Sequence, residues 1–320
     1  MIQLSEKKCS DTQTEVKVEW RVVLPEEAGQ RLDNFLQRVR GGVPKTRIYR
    51  AIRKGEVRVD KGRVKPDTRL EAGVCVRIPP LRVPEKAEAA GAAGWRSRLR
   101  AAIVREEATL LVVNKPPGLA VHGGSGVNVG LIETLRAMYD TDRYLELVHR
   151  LDRDTSGLLL VARRASTLRS LHGLLRSNGV DKRYLCLVSG RWPAHLKRVD
   201  APLEKFALPS GERRVKVAAT GRQSLTTFRV VTRWPSMTLV EAKPVTGRTH
   251  QIRVHCQHAG FPILGDAKYA DDAADRLAEK LRLKRLFLHA ASLSFRLEEQ
   301  NYSLQAALPS ELQRLIDSAP

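Results

Sequence analysis

The stretch VHRLDRDTSGLLLVA, residues 148–162, joins a polar turn to an apolar run. The run is long enough for one buried strand and too short to span a membrane. In the turn, Arg150 and Arg153 flank Asp152, and residues 155–157 supply hydroxyl groups and a permissive backbone for a tight loop. This pattern predicts an ionised carboxylate held in a cleft in front of a core strand. The alternative is a charged turn with structural ion pairs.

Length and cysteine content limit the classes of protein to which the chain can belong. Its 320 residues can bury one large core or form two domains. A secretory signal and an apolar run of about 18 residues are both absent from the sequence, which argues against a membrane protein. The four cysteines lie far apart without a CxxC pair, so neither a disulfide framework nor a cysteine zinc site is expected. These features predict a soluble, cytoplasmic protein.

The charge of the chain points to a polyanionic partner. Lysine and arginine together number 56 against 35 aspartate and glutamate residues, a formal net charge of +21. Such an excess of positive charge attracts polyanions. The sequence shows no lipid-anchoring segment, so a membrane surface is the less favoured polyanion. We therefore expect nucleic acid as the partner.

The N-terminal part of the chain has the pattern of a small domain. Residues 1–17 are polar and lack periodicity, so we predict a flexible tail. In residues 18–80, apolar residues at helical spacing predict two helices, and alternating apolar residues after them predict strands. Prolines followed by an Ala- and Gly-rich stretch predict a linker over residues 81–102. A larger domain is then expected over residues 103–320.

Basic side chains are concentrated in the second predicted helix of the small domain. Arg47, Arg50 and Arg53 follow one another at intervals of three, so they lie along one side of a helix and suit successive phosphates. The alternative is a solvated helix face, but only Glu56 lies nearby in the sequence to neutralise the charge. We predict a phosphate-binding face whose candidate residues are Arg31, Lys45, Arg47, Arg50, Arg53 and Lys54.

The same region resembles a known domain. The strings RLDNFL at residues 31–36 and GVPKTRIYRAIRKGEVRVDKGRVKPDTRLEAGVCVRI at residues 42–78 are similar to the small α-α-β RNA-binding domain named after a small-subunit ribosomal protein. The resemblance implies that the basic face binds RNA.

Two further motifs invite assignments that their spacing disfavours. The loop VHGGSG at residues 121–126 lacks the nucleotide-binding spacings GxGxxG and GxxxxGK[ST], and the chain has no GxSxG nucleophile elbow. The spacing of three histidines, His250, His255 and His258, does not match the HExxH metal-binding motif. Only Cys256 lies nearby in the sequence as a further metal ligand. We predict neither a nucleotide cofactor nor a metal, and the glycines are expected to let the backbone approach nucleic acid.

Polar residues beside apolar repeats predict where two helices begin. Ser166 is expected to cap a helix whose leucines have helical spacing, and Thr249 the helix that follows the turn at Thr246. Residues 182–188 have the pattern of a strand, in which Tyr184 on its own would be ordinary core packing.

Three separated strings resemble the large pseudouridine synthase family that modifies ribosomal and transfer RNA. They are HRLDRDTSGLLLVAR at residues 149–163, KRYL at residues 182–185 and GRTHQIRVH at residues 247–255. The resemblance implies an α+β fold, with a mixed, mainly antiparallel β-sheet and flanking helices in the catalytic domain. It also implies a cofactor-free enzyme whose partner is 23S ribosomal RNA or the assembling large ribosomal subunit, and we expect a monomer.

The resemblance further implies roles for individual residues. Asp152 matches the catalytic aspartate, and Asp154 is then a bystander. Tyr184 matches a tyrosine that stacks on the target base, and Arg253 an arginine that pairs with the catalytic aspartate. Arg150 is assigned to filling the space that the flipped base leaves.

The implied reaction detaches uracil from its sugar, turns it and rejoins it through ring carbon 5, without redox chemistry. An ordinary aspartate, with a pKa of about 3.9, is ionised at neutral pH. Whether Asp152 attacks the sugar carbon or removes a sugar proton stays open. Flipping the uridine costs a few kcal/mol, whereas stacking on an aromatic ring returns about 1–3 kcal/mol and phosphate contacts add more.

Parts of the sequence would also suit two other functions. A non-catalytic RNA-binding or ribosome-assembly factor would need only the basic domain. A glycoside hydrolase normally uses two carboxylates across the bond, and Asp154 is too close along the turn to oppose Asp152.

Overall fold

The computed structural model describes residues 18–40, 43–81, 92–123, 130–139 and 144–318. The chain divides into two compact units, Met1–Ala87 and Glu88–Pro320. The predicted tail, residues 82–91 of the predicted linker and part of the VHGGSG loop lie outside the described residues.

The first unit is built on a small antiparallel sheet and two helices. Its elements are β1 (Glu19–Val22), a 3₁₀ turn (Pro25–Glu27), α1 (Leu32–Val39), α2 (Lys45–Arg53), β2 (Arg58–Val59) and β3 (Cys75–Ile78). The strand order is β1-β3-β2. Leu32, Phe35 and Leu36 of α1 and Ile48 of α2 are completely buried, so both helices bury the predicted apolar faces.

The second unit carries the large sheet. Its strands are β4 (Ile103–Glu106), β5 (Leu110–Lys115), β6 (Glu146–Leu147), β7 (Ser156–Ala162), β8 (Val180–Ser189), β9 (Arg198–Asp200), β10 (Leu203–Ala207), β11 (Arg213–Val217), β12 (Leu225–Arg233), β13 (Met237–Pro244), β14 (Leu288–Leu297) and β15 (Gln300–Gln305). Its helices are α3 (Ala92–Ala101), α4 (Leu131–Met138), α5 (Ala165–Arg176), α6 (Gln251–His258), α7 (Asp272–Lys280) and α8 (Ser310–Asp317).

Ten of these strands form one sheet in the order β4-β5-β7-β14-β8-β13-β12-β9, with β15 beside β14 and β6 beside β7. Strands β10 and β11 form a separate two-stranded sheet. Within the ten-stranded sheet, β7 and β14 pair parallel and the other pairs are antiparallel. The predicted α+β fold with a mixed, mainly antiparallel sheet is therefore confirmed.

The parallel pair sits where the polar turn of residues 148–157 meets the sheet. Gly157 has a φ of +110°, and a Cβ atom added there would lie 2.3 Å from the carbonyl oxygen of Ala290. Only glycine allows this approach of β7 to β14. The turn that carries Asp152 is thereby fixed to the middle of the sheet.

Both predicted helix caps were wrong. Helix α5 begins at Ala165 with Arg164 as its N-cap, so Ser166 lies inside the first turn and caps nothing. Helix α6 begins at Gln251, with His250 in the left-handed conformation as its N-cap. The preceding turn is instead organised by the Gln251 side chain, whose Oε1 accepts from Thr246 Oγ1 at 2.7 Å and Arg248 N at 3.0 Å.

Helix α3 lies inside the range predicted as a linker. Leu99 is completely buried in a cluster with Leu111 and Val113, and Trp95 packs against that cluster. Trp95 and Leu99, four positions apart, lie on one side of α3 and anchor it to the second unit. The folded part of that unit therefore begins before residue 103.

Within the described ranges, no helix is both long and apolar enough to cross a membrane. Cys75, Cys186 and Cys256 are free thiols.

Candidate active site

A cleft of about 880 Å³ opens on the second unit between the 148–155 turn, strand β8 and the start of α6. Four of the predicted site residues line it, namely Arg150, Asp152, Tyr184 and Arg253. Among the described residues that line the cleft, Asp152 is the single acid.

Asp152 is held by an ion pair. Arg253 Nη1 donates to Asp152 Oδ2 at 3.0 Å, and about a quarter of the Asp152 side chain, 26%, stays exposed. The backbone carbonyl of Asp152 accepts from Thr155 N at 3.2 Å, which closes the turn. The carboxylate is therefore fixed at one oxygen while the side chain remains open to a ligand.

Arg253 is positioned by a second carboxylate that sequence analysis missed. Its Nε and Nη2 donate to the two oxygens of Asp266 at 2.8 and 2.7 Å, and Asp266 is completely shielded from solvent. Burial opposes the charged guanidinium, but Asp266 and then Asp152 outweigh it and raise the pKa of Arg253 above its usual value. The arginine is thus a permanently charged bridge between two aspartates.

Asp266 also fixes its own turn. Its Oδ1 accepts from the backbone amides of Lys268, at 3.0 Å, and Tyr269, at 3.2 Å. The only sequence signal for this residue is a lone acid directly after the apolar string ILG at residues 263–265, which is also the pattern of an ordinary turn.

Tyr184 lies on β8 in the centre of the sheet. Its cross-strand neighbours are Ala242 on β13 and Ala290 on β14, so short side chains flank the ring on the same face. Burial raises the pKa of Tyr184, and the nearby Asp152 charge adds to the effect. The phenol is therefore neutral, and the ring and Asp152 share one cleft.

His250 and Tyr269 complete the wall beside Asp152. His250 Nε2 lies 3.9 Å from Asp152 Oδ2, and its Nδ1 lies 2.7 Å from Tyr269 Oη. Tyr269 Oη also accepts from Val215 N at 2.9 Å, which leaves the phenol proton for Nδ1 of a neutral imidazole. Burial lowers the pKa of His250, which favours that neutral form.

Arg150 lies at the edge of the cleft. It is exposed, and its side chain makes no hydrogen bond or ion pair with any residue that the structure describes. Its guanidinium is thus available to a ligand.

Lys115 supports the turn that carries Asp152, a role that sequence analysis missed. It is completely buried, and its Nζ donates to the carbonyls of Pro116, Leu119 and Arg153, each at 2.9 Å. Burial lowers the pKa of Lys115 to about 7. A lysine immediately after the buried run LLVVN at residues 110–114 was the available signal.

The predicted RNA-binding residues of the first unit fall into two groups. Lys45, Arg50, Arg53 and Lys54 are exposed and have no partner among the described residues. Arg47 lies 3.4 Å from Glu56, and Arg31 makes a two-pronged contact with Asp33 at 3.1 and 2.8 Å. Four of the six are therefore free to contact phosphate, whereas two are held by carboxylates.

Within the part of the chain that the structure describes, no group of three or more His, Cys, Asp or Glu residues is placed to hold a metal ion.

Comparison with known proteins identifies the family. A family model described as RNA pseudouridylate synthase matches residues 109–258, and an S4 domain model matches residues 30–74. The chain belongs to the RNA pseudouridylate synthase family. It is 51% identical, over 93% of each chain, to the ribosomal large subunit pseudouridine synthase C of Pasteurella multocida (strain Pm70). It is 55% identical to the protein of that name in Escherichia coli (strain K12), over 85% of this chain and 87% of the other.

A solved structure agrees with this assignment. The human RNA pseudouridylate synthase domain containing 4 protein superposes with a TM-score of 0.58 and 27% identity, over 71% of this chain and 95% of the other. The resemblance stated from the motifs is confirmed, and the protein is an RNA pseudouridine synthase rather than a non-catalytic RNA-binding factor.

Proposed function

We propose that the protein converts specific uridines of 23S ribosomal RNA to pseudouridine, with Asp152 as the catalytic residue. The observation that carries this proposal is the Asp152 carboxylate, the single acid among the described residues of the cleft, bound at 3.0 Å by an arginine that Asp266 fixes in place. The curated relatives named as large-subunit synthases, which match most of the chain, support the choice of RNA.

The isomerisation balances without any external reagent. The bond between uracil N1 and the ribose carbon breaks, a new bond forms from uracil C5 to the same carbon, and the C5 proton is replaced by a proton on N1. An ionised Asp152 either attacks the sugar carbon or removes a sugar proton, and both roles need the exposed part of its carboxylate. Arg253 holds that carboxylate in place through Oδ2.

The target nucleotide must leave its stack to reach Asp152. We infer that the base packs on Tyr184, which returns about 1–3 kcal/mol. Arg150, exposed at the edge of the cleft, is placed to fill the space that the base vacates. Phosphate contacts from the first unit supply further binding energy through Lys45, Arg50, Arg53 and Lys54, with a smaller part for Arg31 and Arg47.

We further propose that the enzyme acts as a monomer in the cytoplasm, on free ribosomal RNA or the assembling large subunit. The net charge of +21 suits a polyanion of that size.

The proposal is tested by mapping pseudouridines in 23S ribosomal RNA from cells that lack the protein and from the same cells supplied with it again. We expect particular uridines to stay unmodified in the first RNA and to be converted in the second. The purified protein should convert the same positions in 23S RNA transcribed in vitro. An unchanged map in the deletion strain, together with no conversion in vitro, would refute the proposed substrate.

A further inference from the structure

Lys182 shares a face of strand β8 with Tyr184. Side chains two residues apart on a strand point the same way and lie about 6.6 Å apart along it. Both residues line the cleft. A nucleotide whose base packs on Tyr184 therefore has its neighbouring backbone within reach of the Lys182 ammonium group.

On the opposite face of the same strand, the charged side chains form ion pairs with one another and with β13. Asp181 Oδ2 lies 3.0 Å from Arg183 Nη2 and 3.1 Å from Lys243 Nζ, and Arg183 Nη1 lies 3.0 Å from Glu241 Oε1. The Lys182 side chain, by contrast, forms no hydrogen bond or ion pair with any residue in the described part of the chain. The protein thus pairs the charges beside Lys182 along the strand and leaves that one cation without an anion.

The surroundings of Lys182 are unfavourable to a positive charge. The side chain is half-buried, and burial lowers the pKa of Lys182. Burial, with a contribution from the Lys182 charge, lowers the pKa of His149 to about 4. The polar cleft-lining groups on α5 are His172, which lies 3.1 Å from the Val148 carbonyl, and the exposed Arg176. The acid of the cleft, Asp152, is already bound by Arg253.

A partly desolvated and unpaired ammonium group destabilises a fold, so its presence calls for an anion supplied from outside. We propose that Lys182, assisted by Arg176, forms a subsite that binds a phosphodiester of the substrate RNA next to the target nucleotide. This inference rests on the proposed function, and it adds a second fixed point. With the base on Tyr184 and a phosphate on Lys182, the target nucleotide is held at two points beside Asp152.

The test compares Lys182→Gln and Lys182→Arg with a matched control, Lys243→Gln, which removes the same charge from the opposite face of the sheet. All are made in an Asp152→Asn background, so that binding is measured without turnover. The probe is a short RNA that contains one of the uridines mapped as described above. We expect Lys182→Gln to weaken binding about tenfold and to reduce the slope of log K against log salt by about 0.7, the value for one phosphate of a single strand. Lys182→Arg and Lys243→Gln should stay within about twofold of the parent.

A second measurement locates the phosphate. In a set of the same RNA, each phosphodiester around the uridine is replaced in turn by an uncharged methylphosphonate. We expect one replacement to weaken binding of the RNA to the Asp152→Asn parent about tenfold. The same replacement should not weaken binding to the Lys182→Gln variant any further. Additive losses at every position would overturn the subsite.

Thermal unfolding separates a binding role from a structural one. Because the unpaired charge is removed, Lys182→Gln should unfold at the same temperature as the parent or higher. A lower unfolding temperature together with weaker binding would mean that Lys182 supports the fold, and the proposal fails. If the wild-type protein converts uridine but Lys182→Gln binds like Lys243→Gln, only the subsite is wrong. If the wild-type protein converts no uridine, the proposed function fails first.

Discussion

Arg253 reaches Asp152 through a single guanidinium nitrogen, Nη1, because Nε and Nη2 are both bound to Asp266. A freely rotating arginine could form a two-pronged pair with Asp152 and cover both of its oxygens. The fork to Asp266 prevents this, so one Asp152 oxygen stays available to the substrate. Asp266 therefore acts through Arg253 as a positioning residue.

The first prediction concerns that fork. Asp266→Asn should lower the free energy of unfolding by about 3 kcal/mol, because it leaves a buried guanidinium with an incomplete set of acceptors. It should also lower kcat at least tenfold with a smaller change in KM, because Arg253 is no longer held in place. Chemical denaturation and steady-state kinetics measure the two effects. The control is Glu279→Gln, which removes an exposed acid from α7. Equal kcat values for Asp266→Asn and the control would show that the fork has no part in catalysis.

The second prediction concerns the carboxylate of Asp152. Asp152→Asn should abolish pseudouridine formation and keep RNA affinity within about threefold, since the amide preserves the shape but not the charge. Asp154→Asn is the matched control, because Asp154 lies in the same turn but half of its side chain, 49%, is exposed and it faces Arg153. Its activity should stay within about threefold of the wild type. Measurable turnover by Asp152→Asn would remove the catalytic assignment.

The third prediction concerns the basic helix α2. Replacing Lys45, Arg50 and Arg53 with Gln should weaken RNA binding and reduce its salt slope by roughly 0.7 to 0.9 for each phosphate contact that is lost. Arg47→Gln should have a smaller effect, because Glu56 already occupies that guanidinium. Filter binding over a range of salt concentrations gives both slopes. A triple variant of exposed α7-side cations, Arg276, Lys280 and Lys284, controls for the change in net charge. If both triple variants have the same slope, α2 does not contact phosphate.

The fourth prediction concerns pH and Lys115. In the unfolded chain this lysine titrates near 10.5, whereas burial lowers its pKa in the folded protein to about 7. Between these values the unfolded state binds more protons, so the contribution of Lys115 to stability rises with pH and is lost as the pH falls through about 7.

Lys115→Met should destabilise the protein by about 2 kcal/mol, because the carbonyls of Pro116 and Leu119 lose their donor. The gap in stability between wild type and variant should widen as the pH rises from 7 towards 10. Denaturation curves at several pH values measure this gap. A gap that stays constant or narrows over this range would contradict a lysine of lowered pKa.

The sequence predicted the local parts of this fold better than its long-range contacts. Apolar spacing located the helix faces of the first unit and the strand that carries Tyr184, because such patterns reflect which side of an element is buried. The meeting of Asp152 and Arg253, which are 101 residues apart, was expected only from the resemblance to a family. Periodicity carries no information about such a pair.

The two residues that sequence analysis missed, Asp266 and Lys115, were missed for the same reason. Asp266 and Lys115 act by contacting partners from other parts of the chain, and neither belongs to a periodic pattern. The two helix caps failed for a related reason. Ser166 and Thr249 have side chains that can cap a helix. Helix α5 nevertheless begins directly after Arg164, and the Gln251 side chain organises the turn before α6.

The pairing of Gly157 with Ala290 has a consequence for the synthesis of the chain. The neighbouring contact between Ser156 and His289 spans 133 residues, so the turn bearing Asp152 gains this part of its support only when β14 is available. Because a long loop must close before such contacts form, they are late events in folding. A nascent chain that has left the ribosome only as far as α7 therefore lacks a complete cleft, and the enzyme becomes competent only after β14 has emerged.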